Sequence, residues 1–216
     1  MDEIRLTTGE IVRSTLSLMR ANLAGLFPAV FLLSVTSTLV DIYDRDGFTN
    51  LPLLIAFMVM QFWLLKHVLA KCGRIERISR SGGTFVGASI LGNIGIALGA
   101  IALVIPGIVL AVRWSAAVPI ALSEEQSAPD ALAESWRRTK GGTIALFLAY
   151  IVTLPLIVAG TIAYMLAEGD PLLPIWQFFA IANACSNLWM ITGWFMSVAV
   201  YLAITPAAEP LETIFA

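Results

Sequence analysis

The chain has 216 residues, 58% of them hydrophobic and only 13% charged, with a mean hydropathy of +0.85 and a formal net charge of -2. Soluble domains run at roughly 45–50% apolar and about 25% charged. A water-soluble globule of this size leaves too much surface exposed to hide that much apolar material, so the composition excludes one and makes a bilayer the solvent.

The elements follow in chain order. Met1-Asp2-Glu3 opens the chain without the short apolar core and small-residue cleavage site of a signal peptide. Within residues 1–22, Ile11, Val12, Leu16, Met19 and Leu23 recur at helical spacing, with Arg13 and Arg20 among the polar positions. This predicts an amphipathic helix, lying in the headgroup layer or capping the cytoplasmic end of a bundle. A bilayer core of about 30 Å needs about 20 apolar residues as helix. Spans are expected at about 23–40 and 51–70. Thr84–Leu122 has a single arginine in 39 residues. As one helix it would reach about 58 Å, too long for one crossing. Pro106-Gly107 is the expected hairpin turn, since proline removes a donor and glycine tolerates the bend. That gives spans at 84–105 and 107–122. Ser127 and Asp130 then form an S-x-x-D capping pattern ahead of a second amphipathic helix over 127–140, where Leu132 and Trp136 share a face. The last spans are expected at 143–166 and 175–204. The predicted fold class is therefore all-α: one polytopic transmembrane bundle of six spans, arranged as three hairpins with basic interfacial helices.

Charge then sets orientation. Arg5, Arg13, Arg20, Lys66, Lys71, Arg74, Arg77, Arg80, Arg137, Arg138 and Lys140 fall on one side of a six-span arrangement. Asp41, Asp44, Asp46, Glu168 and Asp170 fall on the other, with only Arg45 basic. By the positive-inside rule the first side, with both termini, is cytoplasmic. Cys72 and Cys185 lie at different expected depths, so no disulfide is expected between them. A 60-residue spacing also recurs at Arg20, Arg80 and Lys140, each just before an apolar hairpin, which suggests three related units.

Few residues have the chemistry of a site. Arg113 is the one charge well inside a predicted span, where a partner or a wet cavity is the default expectation. With Trp114 beside it, it is a candidate for binding an anion or lipid phosphate; alternatively its side chain snorkels to the outer headgroups. Asn183 and Asn187, four apart, share a face, and Asn93 and Gln61 are further intramembrane amides. They serve as interhelical hydrogen-bond partners or, alternatively, line a transport path. Gly95 and Gly99 form a G-x-x-x-G, which implies close helix packing within the bundle or in a dimer.

Enzyme readings fail on inventory. His67 is the single histidine, G-x-S-x-G is absent, and no pair of carboxylates lies within the spans. No catalytic residue, metal site or cofactor is expected, and no nucleic-acid partner.

The segment Pro106-Gly107-Ile108-Val109-Leu110-Ala111-Val112-Arg113-Trp114, followed by Pro119, Glu124, Ala131-Leu132, Ser135-Trp136 and Thr139-Lys140-Gly141, resembles a known pattern. It is similar to the membrane domain associated with some glycerophosphoryl diester phosphodiesterases, and to the related YciC (UPF0259) and DUF975-like bacterial integral membrane families. The resemblance covers about 36 residues. It implies a bundle in the bacterial inner (cytoplasmic) membrane. In those phosphodiesterases hydrolysis belongs to a separate soluble barrel, for which this chain has neither the length nor the histidines and acidic metal ligands.

The expected function is a non-catalytic, lipid-interacting or scaffold role in the cell envelope. Its partners would be anionic headgroups at the cytoplasmic face and a protein partner or a second copy. The alternatives are a small transporter or permease using Arg113, and a membrane immunity or resistance protein.

Overall fold

The computed structural model describes residues 6–43, 50–75, 82–169 and 175–205. Among them every regular element is helical: α1 (Thr8–Ala21), α2 (Leu23–Tyr43), α3 (Asn50–Lys71), α4 (Gly82–Ala102), α5 (Val104–Arg113), α6 (Ala117–Ser123), α7 (Ala128–Arg138), a 3-10 turn (Lys140–Gly142), α8 (Thr143–Gly169) and α9 (Ile175–Ile204). Six stretches are long and apolar enough to cross a membrane, with α5 and α6 together making the fourth. The protein is a multi-pass, all-α membrane bundle.

Its exterior is what a bilayer requires. Phe27, Phe31, Ile55, Val59, Leu98, Ile144 and Met165 are all exposed on the spans. The core lies around α9, which packs on α8, α2, α1, α3 and α6. Ile191, Phe195, Met196, Val198 and Val200 are fully buried there. The α8–α9 contact closes at Gly160, where an added Cβ would meet Ser186 Oγ at 2.9 Å and the Ala182 carbonyl at 3.0 Å.

We call the side holding α1, α7 and the end of α9 the near face, and the side holding Tyr43 and Leu103 the far face. Both near-face amphipathic helices begin with a side-chain N-cap. Thr7 Oγ1 accepts from the Glu10 backbone N–H (3.3 Å) and Ser127 Oγ from that of Asp130 (3.4 Å), satisfying donors that the first turn leaves orphaned. The two caps stand 120 residues apart, as do the starts of α2 at Leu23 and α8 at Thr143. The expected repeat therefore has a counterpart in structure between the first and third units. Its middle marker, Arg80, lies outside the described residues, as do Arg5, Arg77 and the Asp44–Asp46 segment.

Two expectations need correction. The turn of the second hairpin is at Leu103, whose backbone is extended (φ -163°, ψ 135°), and not at Pro106-Gly107. Pro106 instead occupies the third position of α5, where its missing N–H would have no helical acceptor anyway. Gly107 sits against α4: a Cβ there would lie 2.7 Å from the Ala100 backbone. Second, the fourth span is not one helix but breaks between Arg113 and Ala117. Pro119 accounts for it, since a continuous helix would need its N–H to reach the Ser115 carbonyl and its ring would clash there. The second amphipathic helix, α7, packs on the bundle, as one of its two expected placements required. Ala131, Leu132 and Ser135 are buried against α6 and α4. Gly87 and Gly92 of α4 make room for Ala128 and Leu132, at 3.1 and 3.6 Å from where a Cβ would stand. Neither amphipathic helix is loose on the bundle, since α1 also packs on α8 and α9.

Candidate functional site: an intramembrane cleft

The break in the fourth span frees the Arg113 carbonyl, because the Ala117 N–H turns to Trp114 instead. Hydroxyls of α7 and its C-cap take its place: Ser135 Oγ donates to that carbonyl at 2.8 Å and Thr139 Oγ1 at 3.1 Å. The guanidinium follows the same direction. Nη1 donates to Thr143 Oγ1 (3.1 Å), Nη2 donates to the Trp136 carbonyl, and Cζ stands 4.4 Å over the Trp136 ring. At 6% exposure Arg113 does not snorkel to the far face, and it is not among the walls of the cleft described below. It joins α5, α7 and the start of α8, and only its Nε is left buried without a hydrogen bond.

Trp114 diverges from its neighbour. Its ring lies over Gly95, where a Cβ would come within 2.5 Å. Gly99 faces Leu110 and the Gly107 backbone in the same way. The G-x-x-x-G thus packs α4 against α5 inside one chain. The ring of Trp114 then forms part of the wall of a cleft of about 700 Å³, within the ~300–1,000 Å³ common for ligand sites.

The cleft lies among the spans. Its walls are Leu54, Phe57, Met58 and Gln61 of α3; Ser89, Asn93 and Ile94 of α4; Trp114, Ser115 and Val118 around the break; Tyr150 and Thr153 of α8; and Trp189, Gly193, Trp194 and Ser197 of α9. Half of the chain's six tryptophans face it. Polar atoms are few and uncharged. Trp189 Nε1 donates to Thr153 Oγ1 at 3.0 Å, and Asn93 Nδ2 to the Ser89 carbonyl at 2.8 Å. Gln61, half-buried, makes no hydrogen bond among the described residues. The hydroxyls of Ser89 and Ser115 are buried without a partner. No charged side chain walls the cleft among the described residues.

The other predicted amides go elsewhere. Asn183 Nδ2 donates to Asp41 Oδ2 (2.7 Å) and Thr38 Oγ1 (3.3 Å), and Asn187 Nδ2 donates to Ser34 Oγ (3.3 Å). Ser34, Thr38 and Asp41 recur at helical spacing, so this is a polar seam joining α2 to α9, away from the cleft. The structure therefore brings Gln61, Asn93 and Trp114 together and separates them from Arg113, Asn183 and Asn187. Sequence reasoning missed Ser89, Ser115, Tyr150, Thr153, Trp189 and Trp194. Hydroxyl and aromatic residues at single positions of apolar helices carry no spacing signal, and only the fold gathers them.

On the near face a charged cluster holds α7 to the end of α9. Arg138 binds Glu124 through both terminal nitrogens (2.6 and 2.8 Å), Glu134 through Nε (2.5 Å) and Thr205 Oγ1 (3.0 Å). Arg74 donates to the Thr205 carbonyl at 2.6 Å. Hydrogen bonds from Arg137 and Arg138 hold the Glu134 carboxyl down at about 2. Cys72 and Cys185 are both free, and burial pushes the Cys72 thiol up. His67 stacks on Trp63 at 5.6 Å on the exposed side of α3, remote from the cleft walls. No protein-family model, curated protein or solved structure matches the chain.

Proposed function

We propose that this is a non-catalytic protein of the bacterial cytoplasmic membrane, with both termini inside, acting as a lipid-interacting scaffold or accessory module. The observation that carries the reading is α1. Arg13 and Arg20 stand exposed and without ion pairs among the described residues, beside the exposed Leu16, while Ile11 and Thr15 anchor the opposite face in the bundle. A basic, half-apolar strip at the ends of the spans suits anionic headgroups. The charge asymmetry and the likeness over 106–141 to the bacterial membrane families support the same placement.

The test is hydrogen exchange in nanodiscs of phosphatidylcholine, alone or with phosphatidylglycerol. Amides of α1 should be better protected with phosphatidylglycerol, and the R13Q/R20Q variant should lose the difference. Equal protection in both lipids would count against the reading.

A transporter or permease is the second reading, favoured by the cleft. It no longer draws on Arg113 as its anion site, because that side chain is engaged by Trp136 and Thr143.

A further inference from the structure

We propose that the intramembrane cleft is a binding site for an uncharged bilayer lipid of the diacylglycerol type, admitted sideways between α3 and α4. This site is separate from the headgroup surface of α1 and stands without it.

The first observation is the mouth. Consecutive helices of a bundle normally pack along their length, yet α3 and α4 have few backbone contacts and meet through Phe62 and Phe85, edge to face at 5.1 Å. Leu54 of α3 and Ile90 and Ile94 of α4 wall the cleft and are each about half exposed. Those side chains lie on membrane-spanning helices, so what meets them is lipid, and the entering molecule comes from the bilayer.

The second observation is polarity. Within a bilayer a side-chain amide is costly unless it finds a partner, and the amides of Asn183 and Asn187 find theirs on α2. Gln61 has none among the described residues and stands at the wall. The Ser89 and Ser115 hydroxyls are also unpartnered, and one rotation about χ1 redirects each. Two buried hydroxyls and a half-buried amide left over beside a cavity point to a ligand that completes them. Gln61 offers two donors and an acceptor, matching ester carbonyls and a free hydroxyl.

The third observation is the lack of charge. With no Arg, Lys, Asp or Glu among the described wall residues, a phosphate or an ammonium would enter this low-dielectric site uncompensated. A lipid that keeps its chains and lacks a charged headgroup escapes that penalty. The aromatic walls of Trp114, Trp189 and Trp194 accept a chain by apolar contact.

Gly193 supplies the means of testing this. It walls the cleft from α9, and a Cβ added there meets no atom within 4 Å, so a larger side chain starts without a clash and takes up cleft space. The protein is reconstituted in phosphatidylcholine vesicles and titrated with diacylglycerol carrying dibrominated chains, or with phosphatidylcholine carrying the same chains. Tryptophan fluorescence is read. Brominated diacylglycerol should quench a saturable component that the brominated phosphatidylcholine does not reach. G193L should remove that component. Q61L should shift its half-saturation about fivefold upward, the worth of one neutral hydrogen bond. Equal quenching by the two lipids would overturn the proposal, as would a saturable component that survives G193L. An unshifted or tighter response in Q61L would overturn the polar recognition, because leucine improves a cleft that merely tolerates hydrocarbon.

Discussion

A methyl group added at Gly107 would lie 2.7 Å from the Ala100 backbone, and one at Gly95 would lie 2.5 Å from the Trp114 ring. Both contacts force something to move, but a ring has rotamers and a backbone does not. Gly141 meets nothing within 4 Å. G107A is therefore expected to lower stability by about 1–3 kcal/mol. G95A should cost less, and G141A should leave the thermal melt in detergent unchanged. Similar melts for G107A and G141A would contradict the close approach of α4 and α5. Arg113 shows the limit of single-residue reading. A charge in an apolar run signals a special environment, and the fold supplies one: a carbonyl, a hydroxyl and an indole face. The sequence left two readings open, an external anion or a side chain snorkelling to the headgroups. The acceptors are backbone and hydroxyl groups of α7 and α8, which carry no charge to notice.

At the scale of elements, α7 depends on its charges. Glu134 is bonded to Arg137 at 2.5 Å and to Arg138 at 2.5 Å, and its carboxyl is held at about 2 against an ordinary 4.5. A carboxyl lowered in the folded state contributes stability that is present above its unfolded value and lost as pH falls toward its folded value. The contribution of Glu134 is thus expected to be complete above about pH 4.5 and to fade between there and pH 2. E134Q should flatten that stretch of the melting-temperature profile and leave the rest in place; an unchanged profile would show that the cluster does not titrate with folding. Helix existence was legible along the chain, because 20-residue apolar runs have one reading in a bilayer. Helix interruptions were less so. Pro106-Gly107 reads equally as a turn or as the first turn of a helix, and tertiary packing on Ala100 selects the second. Pro119 alone marked the break at Arg113–Ala117, and its effect appears four residues upstream.

At the scale of the molecule, the six spans and the three-hairpin order were legible from hydropathy and charge. The gathering of the cleft was not. Gln61, Asn93 and Trp114 were visible as polar or aromatic residues in apolar runs, but Asn183 and Asn187 looked the same in sequence and face α2 instead. Which face of α9 meets α2 and which meets the cleft is a matter of helix rotation, set by contacts such as Gly160 against Ser186. The loose α3–α4 contact beside a tight α8–α9 contact has no signature in composition at all.

Everything above depends on six crossings with α1 and α7 at one face and the α2 end and the Leu103 turn at the other. In a variant lacking Cys72 and Cys185, single cysteines at Gly9, Asp130, Tyr43 and Leu103 report this directly through a membrane-impermeant thiol reagent. Each of these positions is exposed or open. In intact cells the reagent is expected to label Tyr43→Cys and Leu103→Cys, and to reach Gly9→Cys and Asp130→Cys only after the membrane is opened. Labelling of Leu103→Cys and Asp130→Cys from the same compartment would contradict the six-span bundle and the cleft built within it.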